Sequence, residues 1–295
     1  MAQPVATVSK SPPRGPRRAL NPMIARYLAA FKTPRGLVGL VIIGGFTLAA
    51  LAAPLLFPGG DNQQSADALQ GASWSHLLGT DEFGRDLLTR CIFGLRVDLS
   101  LIFAAVPACL ILGTLLGLSG VINEKLGAGV QRLLDVIIGF PSLVLGLCLV
   151  AIMHAGWLPL FLTIMIAGLP PTGRLARGAW LSQQTREYVL AARVLNVTRL
   201  QLLVRHVLPN ALDPIIVNGA VWMVVGVYIE AGLSIVGLGV QPPTPSLGVL
   251  LDSGLGFVDQ SPIYVIGPTV ILLLLCVAFS LIADALNEAV NSREG

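Results

Sequence analysis

The sequence predicts an all-α, polytopic membrane protein with six transmembrane helices, and three features carry that expectation. Hydrophobic residues make up 54% of the 295, charged residues only 12%, and the mean hydropathy is +0.78. A soluble domain carries about 25% charged residues, so this chain has too few to cover a water-exposed surface. Several uncharged runs reach the roughly 20 residues needed to cross a hydrocarbon core about 30 Å thick. With six spans drawn, sixteen of the nineteen Lys and Arg residues fall on one face, the pattern of cytoplasmic loops. The net charge of +3 is therefore read as a topology signal, and no nucleic-acid partner is expected.

Residues 1–34, with Ser11-Pro-Pro-Arg-Gly-Pro-Arg-Arg18, read as a disordered basic cytoplasmic tail, solvated or resting on anionic membrane lipid. No small-residue cleavage site marks it as a secretory signal. A transmembrane domain follows over 35–290. Gly36 to Phe57 holds no Asp, Glu, Lys or Arg and suits the first span, 36–57. Residues 58–96 form an external segment carrying Arg85, Arg90 and Arg96 among Asp61, Asp67, Asp81, Glu82 and Asp86, with Asp98 just beyond it. Within this segment Leu87, Leu88, Cys91, Ile92 and Leu95 share one helical face, as in an interfacial helix. The second span is 99–122. Val136 to Gly173 is also uncharged but too long for one crossing, so it folds back at His154-Ala-Gly-Trp-Leu-Pro159, where Gly and Pro break helix and Trp157 suits the interface. Spans three and four are then 133–153 and 157–175, followed by 214–238 and 263–283. Six crossings put both termini in the cytoplasm.

No catalytic residue is predicted. The sequence lacks the G-x-x-x-x-G-K-[ST] phosphate loop, H-E-x-x-H and G-x-S-x-G. Cys91, Cys109, Cys148 and Cys276 show no C-x-x-C spacing, and His154 and His206 lie far apart, so no metal site is expected. Asp135 and Asp284 read as anchoring groups at cytoplasmic span ends. Glu230 is the conspicuous charge, because an ionised carboxylate facing lipid costs several kcal/mol. It is expected to face a subunit interface or a cavity, acting in gating or substrate contact, or else to hydrogen-bond a neighbouring helix. Gly113, Gly117, Pro107, Pro141, Pro170 and Pro171 suit either helix packing or hinges.

The loop 182–210 is too polar to cross and too patterned for a linker. It reads as two short helices with a turn at Asn196, a residue that tolerates the left-handed conformation. Thr198 and Gln201 form a capping box, Leu200, Leu203, Val204 and Val207 form an apolar face, and Pro209 stops the second helix. From the residues alone, the pair either docks in a groove on another protein or lies as an amphipathic hairpin on lipid.

Three motifs resemble one family. Glu187-Tyr-Val-Leu-Ala-Ala-Arg-Val-Leu-Asn196 with His206-Val-Leu-Pro-Asn210 resembles the EAA loop of ABC importer permeases. Gly79-Thr-Asp-Glu-Phe-Gly-Arg-Asp86 and Gly237-Leu-Gly-Val-Gln-Pro-Pro-Thr-Pro-Ser246 resemble two further motifs of its dipeptide, oligopeptide and nickel branch, in the same order. The likeness covers about residues 30–290 and is to the second permease subunit. It implies a MetI-like fold and half of the transmembrane pathway of an ATP-driven importer in a bacterial plasma membrane. The implied partners are a second permease subunit in a heterodimer, two ATPase subunits or a fused ATPase, and an extracytoplasmic solute-binding protein. ATP and Mg would be bound by the ATPases, with no cofactor in this chain. Glu187, Tyr188, Ala191, Ala192, Arg193, Asn196, His206, Pro209 and Asn210 are the implied coupling residues. Glu230, Gln241 and Pro242 are candidate pathway or gate residues, and Gly79, Thr80, Asp81, Gly84, Arg85 and Asp86 form the external motif. Two positions depart from the family: Leu190 stands where an acid is usual, and Asn196 where Gly is usual. The rival is an ion-driven secondary carrier, which needs buried ionisable residues on several spans.

Overall fold

The computed structural model describes residues 27–195 and 197–291. The tail up to residue 26 and Asn196 lie outside the described residues, as do the side chains of Ala191, Ala192, Arg193, His206 and Asn210. The regular structure of the described residues is helical: α1 (Pro34–Leu56), α2 (Leu87–Ile122), α3 (Glu124–Ile138), α4 (Ser142–Met153), α5 (Trp157–Gln183), α6 (Glu187–Val194), α7 (Arg199–Leu202), α8 (Leu208–Ile235), α9 (Leu247–Leu255) and α10 (Ile263–Asn291). The sole bridge among them is an isolated one, Thr80 to Asp86. Five helices, α1, α2, α5, α8 and α10, are long and apolar enough to cross a membrane. The pair α3 and α4 makes a sixth crossing if taken as one broken span, bent by 91°.

The bend is the first departure from expectation, since 133–153 reads as one straight span. It falls at Gly139-Phe140-Pro141, where proline cannot continue the hydrogen-bond ladder of the helix before it. α3 also begins sooner than expected. Asn123 closes α2 and caps α3, accepting from the amides of Lys125 and Leu126, so no loop separates them.

The second departure is α2. Its 36 residues run about 54 Å at 1.5 Å per residue, far more than a crossing needs. The interfacial helix expected around 86–96 is the first part of this same helix. Nothing between Arg96 and Leu99 breaks it, and Asp98 is buried with a backbone amide as partner instead of ending the span.

α2 packs most extensively against α5, and small residues make that possible. A Cβ placed on Gly117 would lie 2.2 Å from the Gly173 carbonyl oxygen, and one on Gly113 would lie 2.8 Å from the Thr172 side chain. The Gly113/Gly117 stripe is thus a packing surface on which two backbones meet. The main core gathers Leu95, Ile102, Val106 and Leu101 of α2 with Leu160 and Ile164 of α5, Leu233 of α8, Leu250 of α9 and Phe279 of α10.

Gly117→Val should therefore separate α2 from α5, with a loss of about 1–3 kcal/mol as for other overpacked sites. Gly45→Val in α1, where nothing lies within 4 Å of the added carbon, should leave thermal unfolding in detergent unchanged. Equal melting of the two variants would contradict the packing assigned to this stripe.

Candidate functional site

Three places carry the predicted functional residues, and the structure keeps them apart along the bundle. At the loop, Val189 of α6 is fully buried, with Leu202, Leu203 and Val207 buried beside it. They pack on Leu118 and Val121 of α2, Ala176 and Trp180 of α5, and Ala211 and Ile215 of α8. Thr198 and Gln201 cap each other reciprocally, each backbone amide donating to the other's side-chain oxygen at 3.3 Å. Glu187 is exposed, and Tyr188 donates to Gln183 Oε1 at 2.7 Å. Leu190, Val194, Leu195, Leu200 and Val204 leave an apolar outer surface.

Two details differ from the sequence reading. Leu200 and Val204 are exposed, and the buried face is Leu202, Leu203 and Val207. Leu203 and Val207 are buried as expected, Leu202 joins them in place of Leu200 and Val204, and a π-helical turn spans Leu203–Val207. Pro209 also does not stop the chain. Leu208 is helical, with φ −58° and ψ −46°, and its amide donates to Leu203 O, so Pro209 sits in the first turn of α8. Pro209, which has no amide to donate, lies just past the π-helical turn over Leu203–Val207. The loop therefore runs without a break in helicity from Arg199 into the span.

The external motif folds into a closed knot. Asp81 has no exposed surface; its Oδ1 accepts the amides of Phe83 and Arg85 at 2.9 Å each. Its Oδ2 accepts Arg85 Nε and Arg90 Nη1, both at 2.6 Å. Thr80, equally buried, receives the Gln70 amide and donates to the Asp67 carbonyl. Gly84 has φ +71°, and a Cβ there would lie 2.2 Å from the Ser65 carbonyl oxygen, so the turn needs glycine. Gly79 is likewise at positive φ, +78°. Asp86 caps α2, its Oδ2 accepting Thr89 N at 2.8 Å, and its Oδ1 meets His76 Nδ1 at 3.0 Å. Glu82 accepts from Tyr264 of α10 at 2.7 Å, tying the knot to the last helix. These residues brace α2, and Thr80 and Asp81 have no surface left for a partner.

The third place is Glu230. It is 1% exposed and lies inside this chain rather than on an interface or open cavity. Its Oε1 accepts from Ser234 one turn further along α8, at 2.7 Å. Gln241 and Pro242 are exposed on the loop after α8, where Gln241 Nε2 donates to Gly237 O at 3.4 Å and Gly239 O at 3.2 Å. That loop ends at Ser246, which caps α9 by accepting the Val249 amide, and the adjacent Leu247 amide donates to Asp98 Oδ2 at 3.1 Å. Sequence reasoning missed Asp98 as a partner of this region. The available signal was an acid abutting an uncharged run with no Lys or Arg at helical spacing on its inner side.

The family of binding-protein-dependent transport system inner membrane components matches residues 109–293. The dipeptide transport system permease protein DppC of Alkalihalophilus pseudofirmus is 33% identical, over 99% of this chain and 97% of its own. The di/tripeptide transport system permease protein DppC of Pseudomonas aeruginosa is 35% identical over 86% and 87%. The glutathione transport system permease protein GsiD of Pectobacterium atrosepticum is 31% identical over 76% and 75%. Among solved structures, a chain of the inward-facing MetNI methionine ABC transporter matches with a TM-score of 0.57 at 20% identity, covering 70% of this chain and 96% of that one. That likeness is one of fold. An ion-driven carrier finds no support among these relatives.

Asp81→Asn should leave Arg90 buried without its counter-charge and Arg85 with the longer Glu82 contact at 3.6 Å, and destabilise the 58–86 segment by about 3–5 kcal/mol. Asp67→Asn, at an exposed side chain, is the control. Limited proteolysis of residues 58–86 in the assembled membrane protein should be faster in the first variant only.

Proposed function

The chain belongs to the family of binding-protein-dependent transport system inner membrane components, and from that premise we propose how it works. It is a permease subunit of an ATP-driven importer and supplies half of the transmembrane path. Its substrate class is di- and oligopeptides or a related small solute, in line with what the relatives' names state of them. It pairs with a second permease subunit, takes its drive from ATPase subunits through the 182–210 loop, and receives solute from an external binding protein. Both termini face the cytoplasm. ATP and Mg are handled by the ATPases.

One observation carries the mechanical part of this reading: the loop's buried side chains are rooted under the ends of α2, α5 and α8. A loop tethered by flexible chain would absorb an ATPase movement. This one is fastened by packed apolar contacts and by helical continuity into α8, so a displacement at α6 and α7 moves three span ends together. α2 and α5 then travel as one body, because their backbones touch at Gly117 and Gly173. Glu187 and the exposed Leu190, Val194 and Leu195 supply the contact surface. Leu190, in the place of the family's acid, makes that contact more apolar and less dependent on salt.

The test is made on the importer reconstituted in lipid. Glu187→Arg combined with Leu190→Arg should abolish substrate-stimulated ATP hydrolysis while the complex still assembles and purifies. Both residues are exposed, so folding is not at issue. Normal stimulation in that variant would overturn the coupling role of the loop.

A further inference from the structure

Beside the external knot, one face at the start of α2 opens onto a cavity. Phe93, Arg96, Val97 and Ser100 recur at the i, i+3, i+4 and i+7 spacing of a single helical face, and together they line a space of about 350 Å³. Asp61 and Asn62 bound it from the external segment, and Thr244 and Pro245 from the loop after α8. Each wall is braced from behind. Asn62 accepts from Arg85 Nη1 at 3.4 Å, which ties it to the knot around Asp81. Pro245 is buried and directly precedes Ser246, the cap of α9. Ser100 accepts from Trp157 Nε1 at 3.2 Å, and that indole stacks on Phe161.

The cavity carries one charge of each sign, and the two do not pair. In the neighbouring knot Arg85 and Arg90 are both held by Asp81. Arg96 and Asp61 line one space, yet neither makes an ion pair among the described residues. Opposite charges that face a common space without meeting suit a solute that bears both signs. A simple anion would be drawn to Arg96 and repelled by Asp61, and a simple cation the reverse. A peptide with free ends satisfies both groups. Its carboxylate can take the planar guanidinium in two parallel hydrogen bonds, and its ammonium can take the Asp61 carboxylate. Phe93, Val97 and Pro245 offer apolar surface to one of its side chains. An apolar lining with a few placed polar groups, in about 300–1,000 Å³, is the make-up of a small-ligand site, and this cavity lies at the small end of that range.

We propose that this cavity is an entry site on the external side of the permease, where Arg96 holds the carboxylate and Asp61 the ammonium of a short peptide with free ends, an assignment that rests on the peptide-importer reading given above. The peptide would meet these residues before it passes between the spans. Because one wall belongs to the knot and another to the loop that leads into α9, a bound peptide bridges the external segment and that loop. Arg96 is exposed and Asp61 half-buried, so both contacts are made in water, where an ion pair contributes little. Binding is therefore weak and brief, as passage requires.

The test uses alanyl-phenylalanine as probe and the assembled importer in phosphatidylcholine nanodiscs without its binding protein, with empty nanodiscs as the blank. Saturation-transfer NMR should show the peptide bound. Arg96→Gln and Asp61→Asn should each weaken that binding by about three- to tenfold, the range between an exposed ion pair and a charge-assisted hydrogen bond. Acetylating the amine of the probe, or amidating its carboxylate, should weaken its binding to wild type to a like extent, a reading that needs no variant. Binding unchanged in either variant, or unchanged when either end is blocked, overturns the proposal. Glycerophosphoethanolamine, a soluble zwitterionic lipid headgroup, should bind less well because it brings no apolar side chain to Phe93 and Val97. If it binds as well as the peptide and is lost in the same variants, the cavity is a lipid site and the proposal fails. Uptake of the same peptide into proteoliposomes, with binding protein and ATP, separates the site from the reading beneath it. Uptake without the saturation-transfer effects removes the entry site and leaves the importer standing, whereas absence of uptake removes the peptide reading and the entry site with it.

Discussion

The mechanical role proposed for this protein depends on how the 182–210 loop is fastened. Val189, Leu202, Leu203 and Val207 are drawn under the ends of three long helices, among Leu118, Val121, Ala176, Trp180, Ala211 and Ile215. Burying one such side chain fully is worth about 1.5–3 kcal/mol, so pulling the loop free of the bundle is costly compared with moving the bundle. The π turn at Leu203–Val207 serves the same end. It lies between α7 and α8 and keeps the backbone helical from one to the other. In the proposed reading the loop serves as a lever because it is packed against three span ends and continuous in helical backbone with α8.

The rest of the structure keeps that lever's load rigid. α2 and α5 approach closely enough that only hydrogen fits at Gly117, so their inner halves move as a unit. At the other end the motif around Asp81 ties two arginines, a helix cap and Tyr264 into one knot. The knot fixes the outer end of the 36-residue α2 against α10. Between knot and loop, the start of α9 packs on α8, with Gly248 against Ser234 and Ala231, while its Leu247 amide donates to Asp98 of α2. α8 is thus continuous with the loop at one end and packed against α9 at the other.

Sequence patterns disclosed much of this, and where they failed the reason is specific. Uncharged run lengths locate helices because the hydrocarbon core demands about 20 apolar residues, and the turn at 154–156 follows from Gly156 and the fold-back that charge balance requires. The Thr198–Gln201 capping box is a local pairing, so spacing alone discloses it. The π turn escaped because it leaves no residue signature, and with it the helical continuity through Pro209; of the expected apolar face, Leu203 and Val207 are buried and Leu200 and Val204 are exposed. The break at Gly139–Pro141 was visible as composition, yet its 91° angle belongs to the tertiary arrangement. Asp98 escaped because the partner of its Oδ2 is a backbone amide 149 positions away, which no periodicity encodes. Likewise the external motif was legible as a motif, while its burial was not, since both arginines belong to Asp81 only once the segment folds.

The most direct measurement asks on which side of the membrane the lever stands. Leu195 is 77% exposed at the tip of the loop, and Cys148 is the exposed native thiol among the described residues. With Cys148 replaced by Ser, Leu195→Cys should resist a membrane-impermeant maleimide on intact cells and react readily in inside-out vesicles. Reaction on intact cells, with none gained on inversion, would place the loop outside and contradict the whole account.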